Sequence, residues 1–395
     1  MHLEKTLEKF LTIEHNISRI DYLLKLYRIT LKELLEKISE GLKKPITKDD
    51  LYSSEIKISH LKKIDKVFNK GLEYYINPRP ISENKDASIF FRKDKFNSDL
   101  NIGAKKIVNQ FEDLKNSLTA ISKLSDIRFE RKIPIFSIKD NPKKVAQEIG
   151  DLLYPYEFSP VLRDFLKELI SKFAENNIMV FEFVETWNKK DTANINGFYL
   201  KPNVIVLKRQ QKSFRREIFT LIHELGHYLL NEEEIEEVDV KSISQKDLSK
   251  IENWCNEFSY FFLAGNYANT IEKLNKANSS NDYHFDLIQK VSKETNLSTL
   301  ALYTRLLYSK KISYKGYNNV KNELEELYRK KIEEENKKKE LDKILGIKKG
   351  GSVPKPINSP LFVNTLQTAL YSGVINEYDF CKKLNIKPEK IDKYI

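Results

Sequence analysis

A chain of 395 residues, 40% of them hydrophobic, is too long for one ordinary core and too apolar for a disordered polymer, so two or three globular domains are expected. It carries no apolar run of spanning length, and MHLEKTLEKF places charges where a leader needs an apolar stretch, so a cytoplasmic location without membrane contact is expected. The net charge of +11 is spread along a lysine-rich chain rather than gathered in one patch, so charge alone does not establish nucleic-acid binding, and Cys255 and Cys381 are expected as two reduced thiols.

NISRIDYLLKLYRITLKELLEKI has apolar residues at Ile20, Leu23, Leu24 and Tyr27, then at Leu31, Leu34, Leu35 and Ile38. That is helical spacing twice, broken between Arg28 and Thr30, with Thr30 and Glu33 spaced as a capping box for the second helix. ISHLKKIDKVFNKGLEYY is predicted as one further helix ending at the turn signal INPRP. Residues 81–100 read as an irregular connector, and residues 101–125 as helix again. RKIPIFSIKDN opens a new unit. VAQEIGDLLY and VLRDFLKELISKFAENN follow as helices, IMVFEFVE as a strand, and GFYL and VIVLK as two strands around KPN. RREIFTLIHELGHYLL is a predicted helix of about four turns. After it come an acidic loop, NEEEIEEVDV, a helix at IENWCNEFSYFFLAG, and two helices around a turn in DLIQKVSKETNLSTLALYTRLLYSKK. In residues 321–345, Glu333, Glu334 and Glu335 precede Lys337, Lys338 and Lys339 by four positions, the favourable order for surface ion pairs, so a solvated spacer helix is expected. KKGGSVPKPINSP reads as a linker, and the tail from Leu361 as two small helices.

The chemistry lies in H-E-x-x-H. His223 and His227 are four residues apart and project from one helical face, which lets two imidazole nitrogens bind one Zn²⁺. Glu224 lies next round the helix, where a carboxylate can reach a water in an open coordination position and take its proton. Gly226 is expected to leave space beside the metal. The alternative is two ordinary histidines, but an apolar helix burying His-Glu-His without a metal would strand polar groups at a cost. Tyr228 is expected as a core residue, and His2, His15, His60 and His284 have no partner at ligand spacing.

An open catalytic site needs a third protein ligand. No further histidine follows at a suitable spacing, so the candidates are the carboxylates downstream: Glu232, Glu233, Glu234, Glu236, Glu237, Asp239, Glu252 and Glu257. The acidic loop follows the helix end too closely to fold back easily and reads as a solvated surface. Glu252 shares an apolar helical face with Cys255 and Phe258, and a lone inward carboxylate there wants a cationic partner. A surface carboxylate is the alternative. Asn256, one turn on, is placed to orient His223 or His227 by a hydrogen bond behind the metal.

At this point the sequence resembles a known family. NGFYLKPNVIVLKRQQKSFRREIFTLIHELGHYLL looks like the core of the ImmA/IrrE metallopeptidases, whose pattern runs G-F, a short apolar strand, then R-R-x-F-T-L-x-H-E-L-G-H. Gly197 with Phe198, Val204 to Leu207, and Arg215 to His227 fill it, with one extra residue at Glu217 and Ile218 before Phe219. IENWCNEFSYFFLAG is similar to E-x-x-A-N-x-F-A-x-x-L-L-M-P, the segment carrying the family's third zinc ligand; the matching residues are Glu252 and Asn256. Cys255, Ser259, Ala264 and Gly265 depart from that pattern at packing positions. LSTLALYTRLLYSKKISYKGY looks like V-S-x-x-A-L-x-x-R-L, the tail from Phe362 like the family's C-terminal helices, and SIFFRKDKF like the connector to an Xre-type helix–turn–helix. Residues 19–76 are similar to such a domain, but the stretch matching its recognition helix, GLKKPITKDDLYSSEI, lacks a small-residue turn and a basic face.

The resemblance implies an α+β, mainly α fold. Its zincin-like core would hold a small mixed sheet and the H-E-x-x-H helix, flanked by N- and C-terminal helical domains. The expected divisions are 1–80, a degenerate Xre-like domain; 81–130, connector and helix; 131–270, the peptidase; 271–320, its helical extension; 321–350, the spacer; and 351–395, the C-terminal region. It also implies a bacterial or phage regulator that cleaves a small Xre-type repressor in response to stress, DNA damage or a mobile element. The strands at 197–208 would then present an exposed edge to the substrate. The competing reading is a DNA- or protein-binding regulator with a non-catalytic zinc site.

Overall fold

The computed structural model describes residues 11–80, 100–155, 161–185, 192–209, 214–233, 249–345 and 355–394. Almost all of the predicted connector, most of the acidic loop and part of the 348–360 linker lie outside them. The described chain is mainly helical with two small sheets, and no helix is long and apolar enough to cross a membrane. It divides into two compact units, residues 1–117 with 189–195, and residues 118–188 with 196–395.

The first unit contains β1 (Thr12–Glu14) and β2 (Glu55–Lys57), which pair antiparallel. Its helices are α1 (Ile17–Tyr27), α2 (Leu31–Ser39), α3 (Lys48–Tyr52), α4 (Ile58–Phe68), α5 (Leu72–Ile76) and most of α6 (Ile102–Leu124). Arg28 takes a left-handed conformation and ends α1. Thr30 restarts the chain: its hydroxyl accepts from the Glu33 amide at 3.2 Å, and its own amide donates to the Glu33 carboxylate at 2.6 Å. The apolar stripes of α1, α2 and α4 meet through Ile20, Leu23, Leu34, Leu61 and Ile64. The single helix expected over ISHLKKIDKVFNKGLEYY is two. Asn69 and Gly71 have φ of 56° and 83°, and the Asp65 carboxylate accepts from the amides of Lys70 and Gly71 at 2.9 and 2.8 Å. That side chain takes the place of the helical ladder. In GLKKPITKDDLYSSEI the described helix is the five-residue α3, whose first turn carries Asp49 and Asp50.

In the second unit β3 (Met179–Phe183), β4 (Gly197–Leu200) and β5 (Val204–Lys208) form a sheet in the order β3-β5-β4. β3 runs parallel to β5, and β4 antiparallel to it. The helices are α7 (Pro142–Leu153), α8 (Leu162–Glu175), α9 (Phe214–Leu230), α10 (Lys250–Ala264), α11 (Tyr267–Lys273), α12 (Phe285–Glu294), α13 (Thr299–Tyr308), α14 (Tyr314–Ile344), α15 (Pro360–Tyr371) and α16 (Glu377–Leu384). Phe165, Leu169, Phe173, Val180, Ile205, Leu221, Leu225 and Phe258 fill one core between sheet and helices, each contributing about 1.5–3 kcal/mol by burial. Among the described residues β4 pairs with β5 alone, and all four of its residues are buried. The solvent-exposed edge expected at 197–208 is therefore not there: GFYL is apolar enough on both faces to be covered.

α14 starts earlier than expected and is exposed from Glu325 to Lys338, with ion pairs from Glu326 to Lys330 and from Arg329 to Glu333. Arg305 pairs with Glu257 and lies over the Tyr260 ring, tying α13 to α10. The C-terminal helices belong to this same unit. Phe362 meets Phe181 of β3 edge-on, with ring centroids 5.1 Å apart, and the Ile357 amide donates to the Glu182 carboxylate at 2.5 Å.

Candidate metal centre

α9 is buried over its whole length from Thr220 to Leu230, because β4 and β5 cover one side and α10 the other. Its first turn is fixed by an ion pair between Glu217 and Arg209, whose guanidinium also lies 4.2 Å from the Phe214 ring centre. An acid in the first turn also suits the positive end of the helix dipole. α10 is held at its start twice. The Ser249 hydroxyl accepts from the Glu252 amide at 3.1 Å, and the Trp254 indole donates to the Asp140 carbonyl at 2.8 Å.

The two helices cross at Gly226. A Cβ there would stand 2.9 Å from Cys255 Sγ, 3.1 Å from Cys255 Cβ and 3.2 Å from Cys255 Cα. The expectation that Gly226 opens space beside a metal is thus corrected: its missing side chain is filled by α10. Gly226 lies between the two histidines, and Cys255 is one turn after Glu252. The crossing therefore carries the Glu252 carboxylate to the imidazoles.

His223 Nε2 is 3.1 Å from Glu252 Oε2, His227 Nε2 is 3.2 Å from Glu252 Oε1, and the two Nε2 atoms are 3.2 Å apart. These three side chains, all buried, form the one metal-competent cluster of His, Cys, Asp and Glu among the described residues. Burial by itself would push the Glu252 carboxyl up, but with no ion between them, hydrogen bonds and charge from both imidazoles, each then protonated on Nε2, outweigh it and hold the group far below the usual carboxylate range.

The donor chemistry fits a cation. His223 Nδ1 is 3.0 Å from Asn256 Oδ1, an acceptor, so Nδ1 carries the hydrogen and a neutral His223 turns the lone pair of Nε2 toward Glu252 and His227. Electron pairs facing a carboxylate at such distances repel unless a proton or metal ion lies between them. A divalent ion satisfies all three at once, and two nitrogens with one carboxylate suit zinc. Removing the orienting bond by Asn256→Ala is expected to weaken zinc binding roughly 10- to 100-fold while leaving the melting temperature of the metal-free protein nearly unchanged. Competition with a chromophoric chelator measures the first quantity and calorimetry the second.

The other carboxylates considered for this role are placed elsewhere where they are described. Glu233 accepts from the Lys201 amide at 2.8 Å, and Glu257 holds Arg305. Glu234, Glu236, Glu237 and Asp239 lie outside the described residues. Glu224 is buried on α9 beside the start of β4 and is not one of the clustered ligands. Tyr228 is a core residue, its ring edge-on to Tyr199 and under the Arg131 guanidinium.

Sequence reasoning passed over a buried ionic group behind α9. Arg209 pairs with Glu217 and lies 3.9 Å from Glu182. Burial raises the Glu182 carboxyl from 4.5 to about 7, against the pull of the Ile357 amide and Arg209 and with a further push from Glu217. The folded carboxyl thus keeps its proton to about pH 7, whereas the unfolded one loses it near 4.5. Its stabilisation is complete below pH 4.5 and is lost as the pH rises to about 7, by at most about 3 kcal/mol. Glu182→Gln is expected to remove that slope from denaturant-derived stabilities of the metal-free protein; equal slopes in both proteins would refute the assignment.

Residues 176–307 match the family model Peptidase_M78, described as an IrrE N-terminal-like domain. The match spans the second sheet, α9 to α12 and nearly all of α13. No curated protein and no solved structure matches the chain significantly. The match points to a peptidase, and the buried His-His-Glu set has the donor chemistry that a metal-dependent peptidase requires.

Proposed function

We propose that the chain is a zinc-dependent endopeptidase with a zincin-like core that cleaves one regulatory protein, a small Xre-type repressor, and so releases the genes it represses. The observation that carries the reading is the convergence of His223, His227 and Glu252, with the nitrogens and carboxylate oxygens mutually within 4.8 Å and His223 held from behind by Asn256. Three protein ligands leave a fourth position open, and structural zinc sites more often close all four with cysteines.

His223, His227 and Glu252 would hold the ion and Asn256 would fix the tautomer of His223. The chemistry a bound zinc would supply there is Lewis acidity, toward the attacking water and the scissile carbonyl. Glu224 would take a proton from the attacking water as its oxygen bonds to the carbonyl carbon, and would pass that proton to the departing amine as the C–N bond breaks. His223, Glu224, His227 and Glu252 are all buried, which limits the access of bulk water to them. Resemblance over residues 19–76 and 190–265 supports the substrate class, since an Xre-like N-terminal unit is suited to meeting an Xre-type partner.

Substrate trapping tests this. Glu224→Gln, expressed in the native host and captured, is expected to hold a small Xre-type repressor that appears as fragments with the wild-type protein. An identical set of intact partners for both proteins would contradict it and favour a binding regulator whose zinc is not catalytic.

A further inference from the structure

We propose that Gly197, together with Thr220, sets the position of Glu224, so that Gly197 is a positioning residue for the cleavage reaction; this rests on the peptidase reading above. Gly197 opens β4 on the face that meets α9. Its φ is not positive, so backbone conformation does not require a glycine there. Space does. A Cβ at 197 would lie 2.7 Å from Thr220 Cγ2, 3.0 Å from the Val206 carbonyl oxygen and 3.3 Å from Glu224 Cγ.

Those three walls differ in how far they can yield. Val206 is held in the β4–β5 ladder opposite Phe198, so its carbonyl is part of the sheet. Thr220 donates its hydroxyl to the Arg216 carbonyl at 2.9 Å, which fixes the side chain and leaves its methyl directed at Gly197. Glu224 stands one turn further along the same helical face, on a longer and more adjustable side chain. A methyl group at 197 would therefore either move Glu224 or force α9 away from β4. Both displace the carboxylate, and a displacement near 1 Å is enough to spoil proton transfer.

The two tight glycines of the site then have separate duties. Gly226 faces α10 and brings Glu252 to the histidines. Gly197 faces α9 from the sheet side, and the three atoms nearest a Cβ there belong to Thr220, Val206 and Glu224, none of them a metal ligand. Substitution at Gly226 should be read in metal affinity, and substitution at Gly197 in what the base does to a molecule already on the metal.

The test uses the full chain loaded with Co²⁺ and titrated with acetohydroxamate, followed by the visible absorption of the metal. A hydroxamate chelates the ion while its acidic hydroxyl engages the neighbouring carboxylate, so its affinity reports where Glu224 sits without any peptide substrate. Gly197→Ala is expected to bind one Co²⁺ per chain with wild-type affinity. It should bind acetohydroxamate on the order of ten-fold more weakly, approaching Glu224→Gln. Gly197→Ala with Thr220→Ser keeps the bond to Arg216, removes the nearest methyl, and is expected to recover several-fold of that loss. If Gly197→Ala alone does not fold, the same comparison is made between the double variant and Thr220→Ser. Hydroxamate affinity equal to wild type in the alanine variant, metal loss in proportion to hydroxamate loss, or no recovery on adding Thr220→Ser would each overturn the positioning role. If Glu224→Gln weakens the hydroxamate but Gly197→Ala does not, only this inference falls. A wild-type chain that takes up no Co²⁺ would overturn the peptidase reading and this inference with it.

Discussion

Glu224→Gln is expected to keep its metal and lose its turnover. The amide has the volume of the carboxylate and can still hydrogen-bond, but it cannot accept a proton, so cleavage should fall roughly 10²- to 10⁴-fold, the usual share of a general base. Glu224 stands outside the cluster of His223, His227 and Glu252, and zinc affinity should therefore change by less than a pKa-sized effect. Single-turnover cleavage of the trapped partner and a zinc titration on the same preparation separate the two quantities. An unaltered cleavage rate would remove Glu224 from the mechanism.

Gly226→Val is expected to damage the fold and the metal site together. The first atom of the new side chain already falls 2.9 Å from Cys255 Sγ and 3.2 Å from its Cα, and valine adds two methyl groups in a space held by backbone. Overpacking of this kind costs about 1–3 kcal/mol or more, and the relief available is separation of α9 from α10. That separation draws Glu252 away from both histidines. Thermal melting should fall and zinc affinity should drop by more than an order of magnitude. Gly226→Ala combined with Cys255→Ala, which removes the sulfur, should retain more zinc than Gly226→Ala alone. A valine variant with wild-type zinc affinity would show that the crossing does not set the ligand geometry.

Much of the site was legible in the sequence because it depends on local spacing. His223 and His227 share a helical face by their four-residue interval, and Glu252 was singled out because a lone acid stood on the inward face with Cys255 and Phe258. The helix restart at Thr30 was equally local, written in a capping box whose two partners, Thr30 and Glu33, are three positions apart. What was not legible depends on which segment faces which. Gly226 looks like a glycine beside a metal until α10 is laid against it, and Gly197 looks like a strand glycine until Thr220 and Glu224 are seen across it. Glu182 gives no hint of its surroundings, because the amide it binds belongs to Ile357, 175 residues later. The break between α4 and α5 was missed for another reason: Asn69 to Gly71 is a turn signal inside an apolar period, and the Asp65 cap that exploits it satisfies amides five and six residues away. β1 and β2, three residues each, are too short to display an alternating pattern.

The central claim is that His223, His227 and Glu252 hold one ion in a site whose base is a separate residue. The most direct measurement is metal content by mass spectrometry after dialysis against metal-free buffer, on the wild-type chain, Glu224→Gln and Glu252→Ala prepared side by side. One zinc per chain in the first two and none retained in the third is the predicted result. A wild-type chain without stoichiometric metal, or a Glu252→Ala chain that keeps it as tightly as wild type, would contradict the account.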